Sequence, residues 1–351
     1  MAMIHRARSS DRFPLRTLTT AAGMAALLLL TPLSEAAADL RPATHDQAAA
    51  LVCPMHPNVR SKEPGTCSIC GMSLVPVDSS AGPKYDVEVQ TTPRAIVAGR
   101  PFRLHLTVRH PATKAVVQDF AVVHEKRFHL FVISQDLEDY DHVHPEQQAD
   151  GSWALDMSLP RPGPYKIYAD FLPSGGTPQV LVRPLVTSDV STEDAAGNGA
   201  RLVPDRSLNH TIGDLSVTLQ LPPGGLIAGR EERFVYTLAD ARTGKPVRDI
   251  EPYLGAWGHS LALSEDMSRV VHAHPVELVP DGRPASRSGP TLTFKASLPE
   301  PGAYRIWTQI KRNGELVTAV FTVTAIPPRA PAPSGGESLI MRVVPGDLSG
   351  G

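Results

Sequence analysis

The sequence has only three cysteines in 351 residues, and all of them lie between residues 53 and 70. It has no apolar run long enough to cross a bilayer: the N-terminal run has about a dozen residues, against the roughly 20 that a spanning helix needs. A formal net charge of −2 gives no indication of a nucleic-acid or anionic-membrane partner. The G-x-S-x-G elbow, the P-loop and the dinucleotide fingerprint are also missing. We therefore predict no enzyme, with water or dioxygen activation by a histidine-bound metal as the alternative.

The N-terminal segment has the composition of a secretory signal peptide. Four arginines at positions 6, 8, 12 and 16 precede the apolar run "AAGMAALLLLTPL". Ala36 and Ala38 then supply an A-x-A cleavage site before Asp39. We predict that residues 1–38 are removed and that the mature chain is exported to a bacterial periplasm or secreted. An uncleaved anchor is the alternative.

Proline (34) and glycine (27) are frequent and the apolar segments are short, which is typical of all-β proteins. Turn-rich, weakly apolar stretches divide the chain into segments. The predicted segments are a linker at 39–50, a small metal-binding module at 51–77, a β-sandwich at 85–187, a linker at 188–204, a second β-sandwich at 205–326 and a disordered tail at 327–351. The predicted fold class is mainly β, with the module followed by two tandem sandwich domains.

The two long segments are copies of one another. The triplet starting at Ala98 recurs at Ala228, and in the same register "HLFVISQDLEDYDHVHP" from His129 matches "HSLALSEDMSRVVHAHP" from His259. Short β-rich runs broken by Pro, Gly and Asp indicate an antiparallel sandwich in each copy. The copies resemble immunoglobulin-like domains and the small periplasmic YtkA-like modules. That resemblance implies two tandem immunoglobulin-like β-sandwiches.

The cysteine segment "LVCPMHPNVRSKEPGTCSICGMSLVPV" combines a C-x2-H pair with a C-x2-C pair, which can converge on one ion. Thiolate and imidazole suit tetrahedral zinc, or soft monovalent copper and silver. Metal ligation would supply much of the folding free energy of so short a segment. The alternative is a Cys67–Cys70 disulfide with Cys53 outside it, which an oxidising compartment allows.

The motif "CPMHP" followed by "PGTCSICGMSLVP" closely resembles the heavy-metal-binding domain attached to copper-transporting ATPases and to periplasmic adaptors of copper and silver efflux pumps. The resemblance covers residues 51–77 alone and brings no pump machinery with it. It implies these ligands: Cys53, His56, Cys67 and Cys70, with Met55 and Met72 as further thioether ligands. We expect copper or zinc as the bound ion, and a metal transporter or efflux component as a partner.

Each repeat also carries three histidines in the same pattern. They are His129, His142 and His144 in the first repeat and His259, His272 and His274 in the second. The two imidazoles of H-x-H project from one face of a strand. A hairpin centred near Asp136 and Leu137 would set His129 opposite His144 and gather all three imidazoles on that face. Such a group suits zinc or divalent copper with an open fourth position.

Two further expectations concern the surroundings of these histidines. Asp136 and Asp266 are expected to cap the hairpin loops, not to bind metal. The alternative to metal binding is that the histidines are hydrogen-bonded core or rim residues, since Leu261 and Leu263 share the inward face with His259. The leading hypothesis is an exported heavy-metal-binding protein in copper handling or resistance, which sequesters ions or passes them on. The second is a structural or interaction protein of tandem sandwiches with a zinc-stapled module.

Overall fold

The computed structural model describes residues 50–53, 59–65, 74–77, 84–191, 199–277, 279–280 and 286–328. All regular secondary structure in these ranges is β-strand, which confirms the predicted fold class. The predicted signal peptide, residues 39–49 of the first predicted linker and residues 329–351 of the predicted tail lie outside the described residues.

A small three-stranded sheet belongs to the cysteine segment. It consists of β1 (Ala50–Val52), β2 (Arg60–Ser61) and β3 (Val75–Val77), with β1 in the centre and both pairings antiparallel. The Cys53 backbone N donates to the Val59 carbonyl at 3.0 Å, so Cys53 extends the pairing of β1 with β2 by one residue. Its side chain is completely buried.

The first repeat is a sandwich of two four-stranded sheets. Its strands are β4 (Asp86–Thr92), β5 (Phe102–Arg109), β6 (Phe128–Ser134), β7 (Tyr140–Val143), β8 (Glu146–Gln147), β9 (Trp153–Met157), β10 (Pro164–Phe171) and β11 (Gln179–Val186). One sheet has the order β4-β5-β9-β8 and the other has the order β11-β10-β6-β7. Strand β5 shows why these segments form strands: its buried side chains alternate with half-buried ones, so one face meets the core.

The second repeat has the same plan. Its strands are β12 (Asn209–Ile212), β13 (Leu215–Gln220), β14 (Leu226–Ile227), β15 (Glu231–Asp240), β16 (Ile250–Glu251), β17 (His259–Ser264), β18 (Val270–Ala273), β19 (Thr291–Ser297), β20 (Gly302–Arg312) and β21 (Glu315–Ile326). One sheet has the order β12-β13-β15-β19. The other has the order β14-β21-β20-β17-β18, with β16 paired to β20.

The strands β6 and β17, which begin the two histidine motifs, are buried on both faces. In β6, Leu130 and Val132 belong to the core of the first repeat. Phe131 and Ile133 point the other way, into a hydrophobic cluster that includes Leu261 and other residues of the second repeat. The histidine-bearing sheets of the two repeats therefore pack against each other, and this contact is called the inter-repeat interface below.

Polar contacts and a ring stack also cross the inter-repeat interface. The Tyr168 hydroxyl donates to the Met267 carbonyl at 2.9 Å, and the rings of Tyr140 and Trp307 stack with centroids 4.8 Å apart. Arg305 forms an ion pair with Glu138. The expectation that Leu261 and Leu263 face inward needs a correction, because both side chains face the first repeat and not the core of their own domain.

Part of the predicted 188–204 linker also contributes to this interface. Ala200 and Leu202 pack against the shared hydrophobic cluster. The Ala200 backbone N donates to the Gln135 carbonyl of the first repeat at 3.3 Å. The Leu202 backbone N donates to Oε1 of Glu265, in the second repeat, at 2.6 Å. This end of the connection thus contacts both repeats.

The shared cluster predicts a substitution whose effect depends on the presence of the other repeat. Leu263→Ala in the full chain should lower the free energy of unfolding by about 2–5 kcal/mol, because Leu263 is completely buried in the shared cluster. In residues 205–326 expressed alone the same change should have little effect, because that face is then in water. Chemical denaturation of both proteins measures the difference.

Leu238→Ala is the matched control, since Leu238 is completely buried in the second repeat's own core. It should destabilise the full chain and the isolated repeat alike. Equal losses for Leu263→Ala in the two contexts would contradict an inter-repeat role for that face.

Candidate metal centre

The β6–β7 hairpin sets the positions of the first three histidines. Its ladder pairs Leu130 with Val143 and Phe131 with His142, and one step further along this register His129 lies opposite His144. The predicted register is therefore confirmed. The second repeat repeats it: β17 pairs Leu261 with His272 and Ser260 with Ala273.

The two aspartates cap the hairpin turns, as expected. Asp136 Oδ1 accepts from the Ser134 hydroxyl at 2.5 Å and from the Glu138 backbone N at 3.2 Å. Asp266 Oδ1 accepts from Ser264 and Ser268 in the same way. These bonds hold each turn closed, and the turn sets the register that places the imidazoles opposite one another.

The first group of imidazoles consists of His129, His142 and His144. His129 Nδ1 lies 3.1 Å from His142 Nε2 and 3.2 Å from His144 Nε2. One nitrogen from each ring can be chosen so that all three lie within 4.8 Å of one another. Three ring nitrogens at this spacing can ligate a single ion.

Hydrogen bonds on the far side of the rings determine which nitrogens carry lone pairs. His129 Nε2 lies 2.9 Å from the Val123 carbonyl, which can only accept, so Nε2 carries the proton. His142 Nδ1 donates to Gln309 Oε1 at 2.9 Å, across the inter-repeat interface. In neutral rings, His129 Nδ1 and His142 Nε2 are then both unprotonated, and two lone pairs face each other at 3.1 Å.

The same arrangement occurs in the second repeat. His259 Nε2 donates to the Tyr253 carbonyl at 2.9 Å, and His272 Nδ1 donates to the Asp170 carboxylate at 3.2 Å, again across the interface. His259 Nδ1 and His272 Nε2 are therefore both unprotonated in neutral rings, and they lie 3.4 Å apart. A carboxylate behind a histidine is a common way to orient a metal ligand.

A seventh histidine joins this cluster, and sequence reasoning missed it. His124, His259 and His274 form the second group whose ligand atoms lie within 4.8 Å of one another. The predicted triad of the second repeat is thus only partly assembled as one group: His259 and His274 belong to it, while His272 lies against His259. His124 was missed because Leu254 stands at the equivalent position of the second repeat, so comparison of the repeats gave no signal.

Burial keeps all seven imidazoles neutral near pH 7. It lowers the pKa of His124 and of His144 to about 3 and the pKa of His129 below its ordinary value, and it lowers the pKa values of His142, His259, His272 and His274 well below that value. Neighbouring histidines add to the effect in most of them. Burial also raises the pKa of Asp170 to about 6, against a smaller opposing effect of His129. Metal ligation requires neutral imidazole, so the cluster is in the binding form without losing protons.

Of the predicted ligands of the cysteine segment, Cys53 is among the described residues. It is completely buried at the end of β1. The other candidates, His56, Cys67, Cys70, Met55 and Met72, lie outside the described residues. In the parts of the chain that the structure covers, we find no helix with the length and apolarity that crossing a bilayer requires.

Acid should destabilise the metal-free protein. The seven histidines have lowered pKa values in the folded state, so below about pH 6.5 the unfolded chain binds more protons than the folded chain. The free energy of unfolding therefore decreases as the pH is lowered. Each contributes about 1.4 kcal/mol per pH unit over the range in which only the unfolded state is protonated. The raised pKa of Asp170 acts in the opposite direction, but it is one group against seven.

We therefore expect the melting temperature of chelator-treated protein to drop steeply between about pH 7 and pH 5. The His144→Gln variant, with one such histidine fewer, should show a shallower drop. A melting temperature that stays level across this range in the parent protein would contradict the burial of neutral imidazoles.

Two family models match the sequence. The "Heavy metal binding domain" matches residues 52–77, which confirms the predicted metal-binding segment. "Domain of unknown function (DUF8832)" matches twice, at residues 80–186 and 210–326, and together these matches cover more than half of the chain. The double match agrees with the tandem repeats found in the sequence and in the structure.

Comparison with known proteins adds weak similarities only. The Escherichia coli adhesin FdeC aligns at 11% identity with a TM-score of 0.23, over 73% of this chain and 68% of that chain. The fibronectin(III)-like modules of Clostridium thermocellum CbhA align at 12% identity with a TM-score of 0.19, over 69% and 94%. We draw no conclusion from TM-scores this low, and the assignment of the fold is based on the strand pairings of this chain. No curated protein matches the chain.

The family matches and the geometry agree on the organisation of the molecule. A heavy metal binding domain precedes two copies of one β-sandwich domain, and the sandwiches meet through sheets that carry the histidines. By the two matches that span most of its length, the chain belongs to the DUF8832 family.

Proposed function

We propose that the chain is an exported heavy-metal-binding protein that acts in copper handling or resistance, and that it sequesters copper or zinc or passes it on. The heavy metal binding domain at residues 52–77 supports metal binding. The histidine groups of the inter-repeat interface support a second place for it. Export to a periplasm is proposed from the signal-like composition of residues 1–38.

The facing lone pairs are the observation that carries this proposal for the repeats. His129 Nδ1 and His142 Nε2 cannot hydrogen bond to each other when both protons lie on the far side of the rings. Neutral imidazoles so arranged repel one another, and a cation between them converts that repulsion into ligation. The far-side acceptors then serve as the second shell that orients metal-bound histidines.

Packing alone gives a poorer account of these residues. Leu or Phe would fill the same face without burying ring nitrogens, and burying polar groups without partners costs free energy. The second repeat reproduces the lone-pair arrangement with a different acceptor, Asp170 in place of Gln309. Retention of the unfavourable pairing in both copies favours a function for it.

The donor atoms point to a division between the two parts of the chain. Thiolate and thioether ligands of the cysteine segment suit monovalent copper, which is a soft ion. Imidazole groups suit zinc and divalent copper. Two sites of different softness in one exported chain fit a protein that holds metal and hands it to a transporter or efflux component. This role requires no catalysis, and we assign none.

The function is tested by the metal content of protein purified from the periplasm, with its N-terminus determined and expected at Asp39. We expect copper or zinc in the parent protein. Cys67→Ser with Cys70→Ser should remove the metal of the cysteine segment and leave metal at the histidines. His129→Ala with His144→Ala should remove the metal of the first histidine group and leave that of the cysteine segment. His105→Ala is the matched control, because His105 lies on β5, outside the interface cluster.

Titration with monovalent copper and with zinc against a competing chelator then gives the affinities. If only zinc binds, and only through the cysteine segment, the metal-handling function fails and the structural or interaction role takes its place. Unchanged metal binding in the double histidine variant would remove the first histidine group from the function.

A further inference from the structure

Two corresponding loops of the repeats meet at the inter-repeat interface, and they differ in one chemically decisive residue. His124 and Leu254 occupy equivalent positions in the aligned repeats, and both adopt the left-handed conformation, with φ of 48° and 50°. The His124 ring forms a hydrogen bond with the Leu254 backbone. A Cβ built on the next residue, Gly255, would lie 3.7 Å from the Glu125 side chain, so the loops are in contact.

This contact carries the His124 ring into the cluster of the other repeat. Its ring stacks on that of His274 with centroids 3.6 Å apart, and it meets the His259 ring edge-on at 5.4 Å. His124 therefore belongs to the first repeat in sequence but to the second histidine group in space. Leu254, the equivalent residue of the second repeat, adds no ligand to the first histidine group, because its side chain has no nitrogen or oxygen.

His274 supplies an independent sign of a ligand at this place. Its side chain is buried, with 1% of the residue exposed. Neither of its ring nitrogens has a hydrogen-bond partner among the described residues. A buried imidazole with both nitrogens unsatisfied is rare and costly. A neutral imidazole has one lone pair and one N–H, and a metal ion would take up that lone pair directly.

We propose that His124 of the first repeat and His259 and His274 of the second form an inter-repeat site for zinc or another divalent cation that prefers imidazole ligands. This site deepens the proposed function and rests on it. Three imidazoles suit a zinc ion with a fourth position, and His272 Nε2 lies 3.4 Å from His259 Nδ1, beside this group.

The charges behind the two histidine groups differ. The Asp170 carboxylate accepts from His272, while neutral Gln309 accepts from His142. A buried negative charge beside the ligands stabilises a divalent cation more than a neutral amide does. His274 is also fully buried and His144 only half-buried. The inter-repeat site is therefore the tighter one and ties the repeats together, and the first group is the one that exchanges metal.

The test is a zinc titration of the full chain against a competing chelator, in the Cys67→Ser, Cys70→Ser background that removes the competing cysteine ligands. His124→Leu reproduces the residue that the second repeat tolerates at this backbone conformation. It should weaken the tighter histidine site by more than roughly tenfold, since even second-shell changes cost 10–100-fold. It should also reduce the rise in melting temperature that zinc produces. His105→Ala should change neither quantity.

Two further variants guard against an effect of folding alone. His124→Asn keeps a residue suited to the left-handed conformation and should weaken zinc in the same way. Leu254→His places an imidazole beside the first group and should tighten zinc binding there. The proposal is overturned if both His124 variants keep the parent's zinc affinities, with binding at His129 and His144 intact. Absence of zinc and copper at every histidine in the parent would instead overturn the proposed function itself.

Discussion

Buried imidazoles with facing lone pairs determine the chemistry of the inter-repeat interface. A neutral histidine has one donor and one acceptor, and in this protein the donors of His129 and His259 are committed to backbone carbonyls outside the cluster. Their acceptors then meet the acceptors of His142 and His272 at 3.1 and 3.4 Å. Protonation would relieve the repulsion, but burial lowers the pKa values and opposes it.

The fold supplies this arrangement through gene duplication and the period of a strand. In each hairpin, alternation sends one set of side chains into the domain's own core and the other, with the histidines, toward the second repeat. The central histidine of each triad then reaches across the interface, to Gln309 in one direction and to Asp170 in the other. These two residues occupy equivalent strands, so the duplication yields a nearly symmetric cluster. The two halves differ in the acceptor, which is the Gln309 amide on one side and the Asp170 carboxylate on the other, and in the additional imidazole of His124.

The sequence predicts the local structure of each hairpin better than the packing of the two repeats against each other. The H-x-H spacing and the loop length suffice to place His129 opposite His144, because hairpin register depends on neighbouring residues. The direction in which Leu261 faces could not be predicted. Every residue of its strand is buried, so the sequence has no alternation of apolar and polar residues that would distinguish the core face from the interface face. His124 was also out of reach: its contact with His274 joins one repeat to the other and exists only when the repeats dock.

The most direct test of the account is anomalous diffraction from crystals of the full chain grown with zinc or copper and recorded at the absorption edge of the metal. The account predicts a peak in the inter-repeat interface, within bonding distance of His129 Nδ1 and of the Nε2 atoms of His142 and His144. It predicts a further peak beside His259 and His274. Metal bound at the cysteine segment with no anomalous peak among the interface histidines would contradict it.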